Sequence, residues 1–319
     1  MNTERITDKN VIAVDLGGTH TRIALISDDG VIIRKKTTLT PVKGDSGLEV
    51  TRHIIYNISD LLSPAEVDSI GCIGICSAGP VDLKSGKVVN SPNMAFPEID
   101  LTGPVHKNFG VPVALINDCR AGVLGEQKYG TGANSDNITY ITISTGIGGG
   151  AIVNGTLILG RDGNAGEIGH MIVDGKYSMP CHCGGSGHWE AYASGRNIPD
   201  FFRKWAECNK IAYDEKCINT SEKIFELYYN GDQPTQEFMD ELGKINAAGI
   251  SNVIIAYSPE IIVLDGPVAR NHGDIIIALI QKYLDRYLKT PDIVVSSLNG
   301  EAPLLGTSLY AKNQIYNIK

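Results

Sequence analysis

The densest run of chemically capable side chains is Gly163–Glu190, GNAGEIGHMIVDGKYSMPCHCGGSGHWE. Its 28 residues hold three His, two Cys and two Glu, separated by glycines that let the backbone turn sharply. Cys181 and Cys183 flank a single residue, His188 follows five positions on, and His170 stands eleven before Cys181. Thiolates and imidazoles converging this way can give Zn²⁺ its four tetrahedral ligands. The same residues can equally be reduced thiols and surface imidazoles in a glycine-rich loop, and C-x-C is tighter than the spacing of common zinc ribbons. Spacing alone leaves both readings open.

Two other glycine clusters invite phosphate. DLGGTHTR (15–22) follows the apolar run 11–15, and STGIGGG (144–150) follows the apolar run 138–143. Glycine lets backbone N–H groups approach phosphate oxygens closely. In the first cluster Thr19 adds a hydroxyl, Asp15 can hold Mg²⁺ directly or through water, and Arg22 can cover an outer phosphate. One glycine turn is a weak signal, but two that each follow a buried strand are much stronger.

The elements that must position these groups read from periodicity. Residues 11–15, 21–26 and 31–39 are predicted strands joined by tight turns, with a hairpin turn at 27–30. Residues 47–62 carry apolar side chains at helical spacing, 69–75 and 113–117 read as strands, and 120–129 as a helix. The polar loop 90–96 carries Asn and Pro. Strand, glycine turn, strand, tight turn, strand then recurs at 138–159, which suggests two related halves facing a shared cleft. Beyond residue 190 the chain is mostly helical, with long helices at 239–257 and 274–287, strands at 261–265 and 293–296, and a closing helix at 302–311.

Composition narrows the class. At 319 residues two lobes are the natural expectation. Forty-two per cent hydrophobic and 20% charged residues are ordinary for a soluble globular protein. A formal charge of −8 argues against nucleic acid or an anionic membrane as the main partner. No apolar run approaches the ~20 residues that span a bilayer. MNTERITDKN lacks the apolar core of a secretory signal, and seven scattered cysteines fit a reducing cytoplasm.

Taken in order, DLGGTHTR, SAGPVD, the Pro-Asn of NSPN, Asn117-Asp118, STGIGGG, GEIGH and CHCGGSGHWEAYASG resemble the ROK family of sugar kinases and sugar-responsive repressors. The resemblance runs from about residue 11 to about residue 312. It implies an α/β, two-lobed actin-like ATPase (ribonuclease-H-like) fold of the actin/hexokinase/Hsp70 superfamily, with a central cleft. The lobes implied are 1–116 plus 304–319, and 117–303 with the zinc and sugar cassette.

Carried over motif by motif, Asp15, Gly18, Thr19, His20 and Arg22 fall on the first phosphate motif, Thr145 and Gly146 on the second, and Gly266 beside the adenosine. Asn93, Asn117, Asp118, Glu167, His170 and Glu190 fall where the family contacts sugar, with Asp118 as catalytic base. His170, Cys181, Cys183 and His188 become the ligands of a structural Zn²⁺. The family usually has Cys where this chain has His188, and imidazole also suits zinc. In IVLDGPVARN only Gly266 stands where a glycine pair normally meets the adenosine.

Phosphoryl transfer to a hexose hydroxyl asks mainly for positioning and a carboxylate that accepts the proton, which suits Asp118 after a strand end. Asn117-Asp118 can also cap the helix that begins near Arg120. The function implied is an ATP-dependent hexokinase acting, with Mg²⁺, on the 6-hydroxyl of glucose or a close relative. The alternative is an N-acetylmannosamine or N-acetylglucosamine 6-kinase, and more remotely a non-catalytic sugar-sensing ROK protein. Family repressors carry a helix-turn-helix domain ahead of the first phosphate motif, and ten residues before Val11 are too few for one. A cytoplasmic homodimer or higher homo-oligomer is expected, with no nucleic-acid or membrane partner.

Overall fold

The computed structural model describes residues 9–316. The segment before Lys9, weighed above against a helix-turn-helix, lies outside them, as do residues 317–319. Thirteen strands and ten α-helices follow in order among the described residues. They are β1 (Asn10–Leu16), β2 (His20–Ile26), β3 (Ile32–Leu39), α1 (Leu48–Leu61), α2 (Pro64–Val67), β4 (Ile70–Ser77), β5 (Val81–Asp82), β6 (Lys87–Val89) and β7 (Glu98–Asp100). Next come α3 (Thr102–Phe109), β8 (Val113–Asn117), α4 (Asp118–Tyr129), β9 (Ile138–Ile143), β10 (Ile147–Val153) and β11 (Thr156–Leu157). The chain closes with α5 (Glu190–Ala193), α6 (Ile198–Asn209), α7 (Ser221–Tyr229), α8 (Gln233–Tyr257), β12 (Ile261–Asp265), α9 (Pro267–Tyr283), β13 (Asp292–Val295) and α10 (Ala302–Tyr316).

Two five-stranded sheets share one topology. The first runs β3-β2-β1-β4-β8 and the second β11-β10-β9-β12-β13. In each, the first two strands pair antiparallel across a glycine turn, β1 with β2 and β9 with β10, and the later strands add in parallel. The internal repeat expected from the sequence is therefore present. The second glycine turn is narrower than the motif that announced it. Gly148, Gly149 and Gly150 already pair with Thr142, Ile141 and Tyr140, so only Ser144–Gly146 turns.

The chain divides into two compact units, residues 1–134, 157–165 and 301–319 in one, 135–156 and 166–300 in the other. The boundary falls after α4 rather than at 116/117. The reason lies in how α4 meets α10. A Cβ at Gly306 would sit 1.7 Å from the Ala121 carbonyl oxygen, and one at Gly125 would sit 2.2 Å from that of Ala302. Two glycines thus let the helix backbones touch, and α4 stays with the first unit.

Each unit has its own core. In the first, Ile12, Val14, Ile23, Leu25, Ile54 and Ile73 pack between the sheet and α1. In the second, Phe201, Phe202, Phe225 and Phe238 gather with Trp189 and Tyr192 beneath β9 and β12. Phe202 and Phe238 meet edge to face with ring centroids 4.9 Å apart. The helix of 239–257 begins earlier than its periodicity indicated, at Gln233, because Asp232 accepts the Thr235 N–H and sets the start. The helix expected from 274 is preceded by a further helical piece from Pro267, with proline in the first turn, where its missing N–H costs nothing. The two join in α9 across a non-helical His272 (φ −133°, ψ 20°).

Candidate functional site

In the first unit the side chains with chemistry converge at the ends of β1, β4 and β8. Asp15, on β1, accepts from Arg22 Nε at 2.7 Å on Oδ2, and the same oxygen lies 2.5 Å from a second guanidinium nitrogen. Register explains the pair: Asp15 and Arg22 are direct cross-strand partners in β1–β2. The Cys76 thiol, fully buried on β4, donates to Asp15 Oδ1 at 3.4 Å. Cys76 also stays protonated, since burial and the neighbouring Asp15 charge push its pKa well up.

Asp118 opens α4 at the end of β8. Its neighbour Asn117 is the true helix cap, accepting from the Cys119 and Arg120 backbone N–H groups. The two readings of Asn117-Asp118 therefore divide between the residues, and Asn117 takes the cap. Asp118 accepts from the Cys119 N–H at 2.8 Å but remains half-buried, with its pKa raised to about 6. Burial is the larger cause and the Asp15 charge the next. A carboxylate so poised is ionised at neutral pH and basic enough to take a hydroxyl proton.

The first glycine turn is locked to its surroundings. Gly17 N–H donates to the His20 carbonyl at 3.0 Å, leaving Thr19 and His20 exposed. A Cβ at Gly18 would fall 2.1 Å from the Asn93 carbonyl oxygen, so only glycine lets the turn sit against the exposed Asn93. Thr40 bolts the turn from beneath. Its Oγ1 donates to the Gly17 carbonyl at 2.7 Å and meets Thr21 Oγ1 at 2.9 Å, while its N–H donates to the Thr19 carbonyl.

In the second unit the Cys/His residues do meet. The candidate donor atoms of His170, Cys181, Cys183 and His188 all lie within 4.8 Å of one another. Nδ1 of His170 is 3.7 Å from the Cys181 sulfur, and Nδ1 of His188 is 3.2 Å from that of Cys183. His182, between the cysteines, is exposed and outside the cluster. The loop that brings them together is pinned by its backbone. Cys181 N–H donates to the Gly185 carbonyl at 2.8 Å, Gly187 N–H to that of Met179 at 2.9 Å, and Trp189 N–H to that of Met171 at 3.0 Å. Two sulfurs and two imidazole nitrogens at this spacing suit a closed tetrahedral Zn²⁺ site. Burial pushes the Cys181 thiol up to about 11, so metal binding there must release a proton.

Around that cluster, Glu167 is exposed just before a short 3₁₀ turn, Ile168–His170. Glu190 begins α5, and its Oε2 accepts from the Ile147 N–H at 2.8 Å, beside the second glycine turn. Thr145 is exposed at the apex of that turn. Gly266 has φ +91°, and a Cβ there would be 2.4 Å from the Ile143 carbonyl oxygen. The departure from a glycine pair is thus absorbed by Asp265. Its buried carboxylate accepts from Tyr140 Oη, Gly266 N–H and Arg270, locking the β12–α9 bend.

A profile of the ROK family matches residues 11–314. The chain belongs to the ROK family. It is 37% identical over 279 residues to a glucokinase of Pyrobaculum calidifontis, which covers 87% of this chain and 86% of that protein. A xylose repressor of Bacillus subtilis is 30% identical over 289 residues, 85% of this chain and 72% of its own. Among solved structures, a ROK family glucokinase from Streptomyces griseus in complex with glucose and AMPPNP superposes with TM-score 0.75 at 27% identity, over 95% of this chain and 99% of that one. The mixed α/β fold with its two related sheets is that of the ROK kinases.

Within this ROK fold, sequence reasoning overlooked three supports. Thr40 lies outside every motif, at the end of a strand that reads as ordinary surface. Cys76 lies at the end of an apolar strand run, outside the motifs. Asp174 organises the cassette by accepting from Tyr177 N–H and Tyr192 Oη, both at 2.8 Å. Only Asp174 left a local signal, because an Asp before Gly-Lys marks a turn.

Proposed function

We propose that this ROK protein is an ATP-dependent hexokinase that phosphorylates the 6-hydroxyl of glucose or a close relative in the cytoplasm. The observation that carries the reading is Asp118, a half-buried carboxylate poised near 6 beside a glycine turn of phosphate-binding type. Asp118 takes the proton of the attacking hydroxyl. The family resemblance assigns further sugar contacts to Asn93, Asn117, Glu167, His170 and Glu190. It assigns phosphate contacts to Gly18, Thr19, His20, Arg22, Thr145 and Gly146, and the adenosine side to Gly266.

ATP brings Mg²⁺, which neutralises charge on the β- and γ-phosphates. Asp15 would hold that ion through water, because Arg22 and the Cys76 thiol already engage its two oxygens. Zn²⁺ on His170, Cys181, Cys183 and His188 would be structural. All four positions come from protein, leaving no place to activate water. Its contribution is to stiffen the loop between Glu167 and Glu190.

The likeness to a xylose repressor keeps sugar sensing as a second reading, and the raised Asp118 carboxylate at the end of β8 favours the kinase. The test is incubation with ATP, Mg²⁺ and, separately, glucose, mannose, N-acetylglucosamine and N-acetylmannosamine, with phosphorus NMR of the products. A hexose 6-phosphate from glucose supports the reading. Preference for N-acetylmannosamine would move it to the alternative kinase, and sugar binding without turnover would favour the sensor.

A further inference from the structure

The second glycine turn is gripped from both sides by one short segment of the chain, 190–195. On one side the Ile147 N–H donates to Glu190 Oε2 at 2.8 Å. On the other, the Gly195 N–H donates to the Ser144 carbonyl at 2.7 Å. The fit is tight: a Cβ at Gly146 would stand 2.3 Å from Glu190 Oε2, closer than any side chain tolerates. Glu190 in turn is firmly seated. Asn197 Nδ2 donates to its carbonyl at 2.9 Å, and the preceding Trp189 is fully buried with its indole N–H on Asn246 Oδ1. The carboxylate is half-buried, and its Oε1 carries no protein hydrogen bond among the described residues.

We propose that Glu190 is a positioning residue that couples the two substrates, one carboxylate oxygen ordering the phosphate turn while the other receives a hexose hydroxyl. The proposal rests on the hexokinase reading given above. Because one carboxylate carries both contacts, any shift of the turn that a nucleotide imposes moves the oxygen offered to the hexose, and a hexose that fixes that oxygen fixes the turn. Linkage requires the effect to be mutual, so hexose tightens nucleotide by the same factor as nucleotide tightens hexose. Gly146 is then constrained from an unexpected direction. A methyl there would push the carboxylate away from the sugar although it lies in the nucleotide's turn.

Titration calorimetry on the full chain tests this, measuring glucose affinity without nucleotide and with saturating AMPPNP and Mg²⁺. The wild type should bind glucose about fivefold or more tightly when AMPPNP is present. In Gly146→Ala the nucleotide-free glucose Kd should rise, and the ratio of the two Kd values should fall toward one. Glu190→Gln, which keeps volume but weakens the charged acceptor, should lose the ratio as well, and serves if Gly146→Ala fails to fold. A wild-type ratio of one, or a ratio preserved in the folded variants, would overturn the coupling while leaving the kinase reading intact. A wild type that binds neither glucose nor AMPPNP would instead refute the hexokinase reading and the coupling with it.

Discussion

The two sheets have the same strand order and the same pattern of directions, yet they finish in different chemistry. In the first unit the glycine turn after β1 is held by the Thr40 hydroxyl, itself hydrogen-bonded to Thr21, with Asp15 among the last residues of β1 and Asp118 just after β8. In the second, the turn after β9 is held by a carboxylate, Glu190, delivered from the loop that carries the Cys/His cluster. The strand equivalent to β8 is β13. Where β8 ends in Asn117 and is followed by Asp118, β13 ends in Val295 and is followed by Ser296-Ser297, with no carboxylate. One repeated frame thus carries the proposed base, Asp118, in one copy and the Cys/His cluster in the other. A repeated fold fixes where strand ends lie, and the residues placed there decide what each end does.

The sharpest way to break this division is Asp118→Asn. Turnover should fall by about 10² or more while the circular dichroism spectrum and glucose affinity are kept, the usual scale for losing a positioned base. Near-normal kcat would move the base elsewhere. The same variant should be more stable than wild type at pH 8. The folded pKa of about 6 lies above the ordinary 3.8, so the folded state holds its proton more tightly and loses stability as pH rises between those values. Removing the carboxylate relieves at most about 3 kcal/mol, visible in urea melts. Equal stability at pH 8 and pH 4 relative to wild type would contradict the buried, charge-opposed Asp118.

Next in size is the metal side. His188→Ala should lose most of its zinc by elemental analysis and weaken glucose binding tenfold or more, the scale of disturbed metal sites. His188→Cys, which supplies a thiolate in its place, should keep the metal. Full zinc in His188→Ala would assign the fourth ligand to another group. The smallest expected effect sharpens the contrast between the two turns. Thr40→Val removes the hydroxyl beneath the first turn and should cost about 1–3 kcal/mol of stability, with ATP KM rising and glucose Kd unchanged. A glucose defect as large as the nucleotide defect would mean that the hydroxyl-held turn also serves the sugar.

Much of this is legible in the sequence. The strand–turn–strand repeat gave both hairpins, because alternation and glycine report local conformation directly. The spacing of His170, Cys181, Cys183 and His188 allowed a cluster, and the backbone bonds of Gly185 and Gly187 were needed to show that the loop closes. What stayed hidden is set by contacts distant in sequence. Cys76 meets Asp15 from 61 residues away, and Glu190 reaches Ile147 from 43. The boundary after α4 depends on two glycines, Gly125 and Gly306, packed against the facing helices. Periodicity identifies the buried face of such helices but not which partner covers it.

The central claim, that Asp118 is the base of a sugar kinase, is tested most directly by the pH dependence of kcat/KM for glucose in the wild type. The base must be ionised, so activity should be present above pH 6 and fall about tenfold per pH unit below it, with an apparent pKa near 6. A profile that stays flat from pH 8 down to pH 5, in a protein still folded at pH 5, would contradict it.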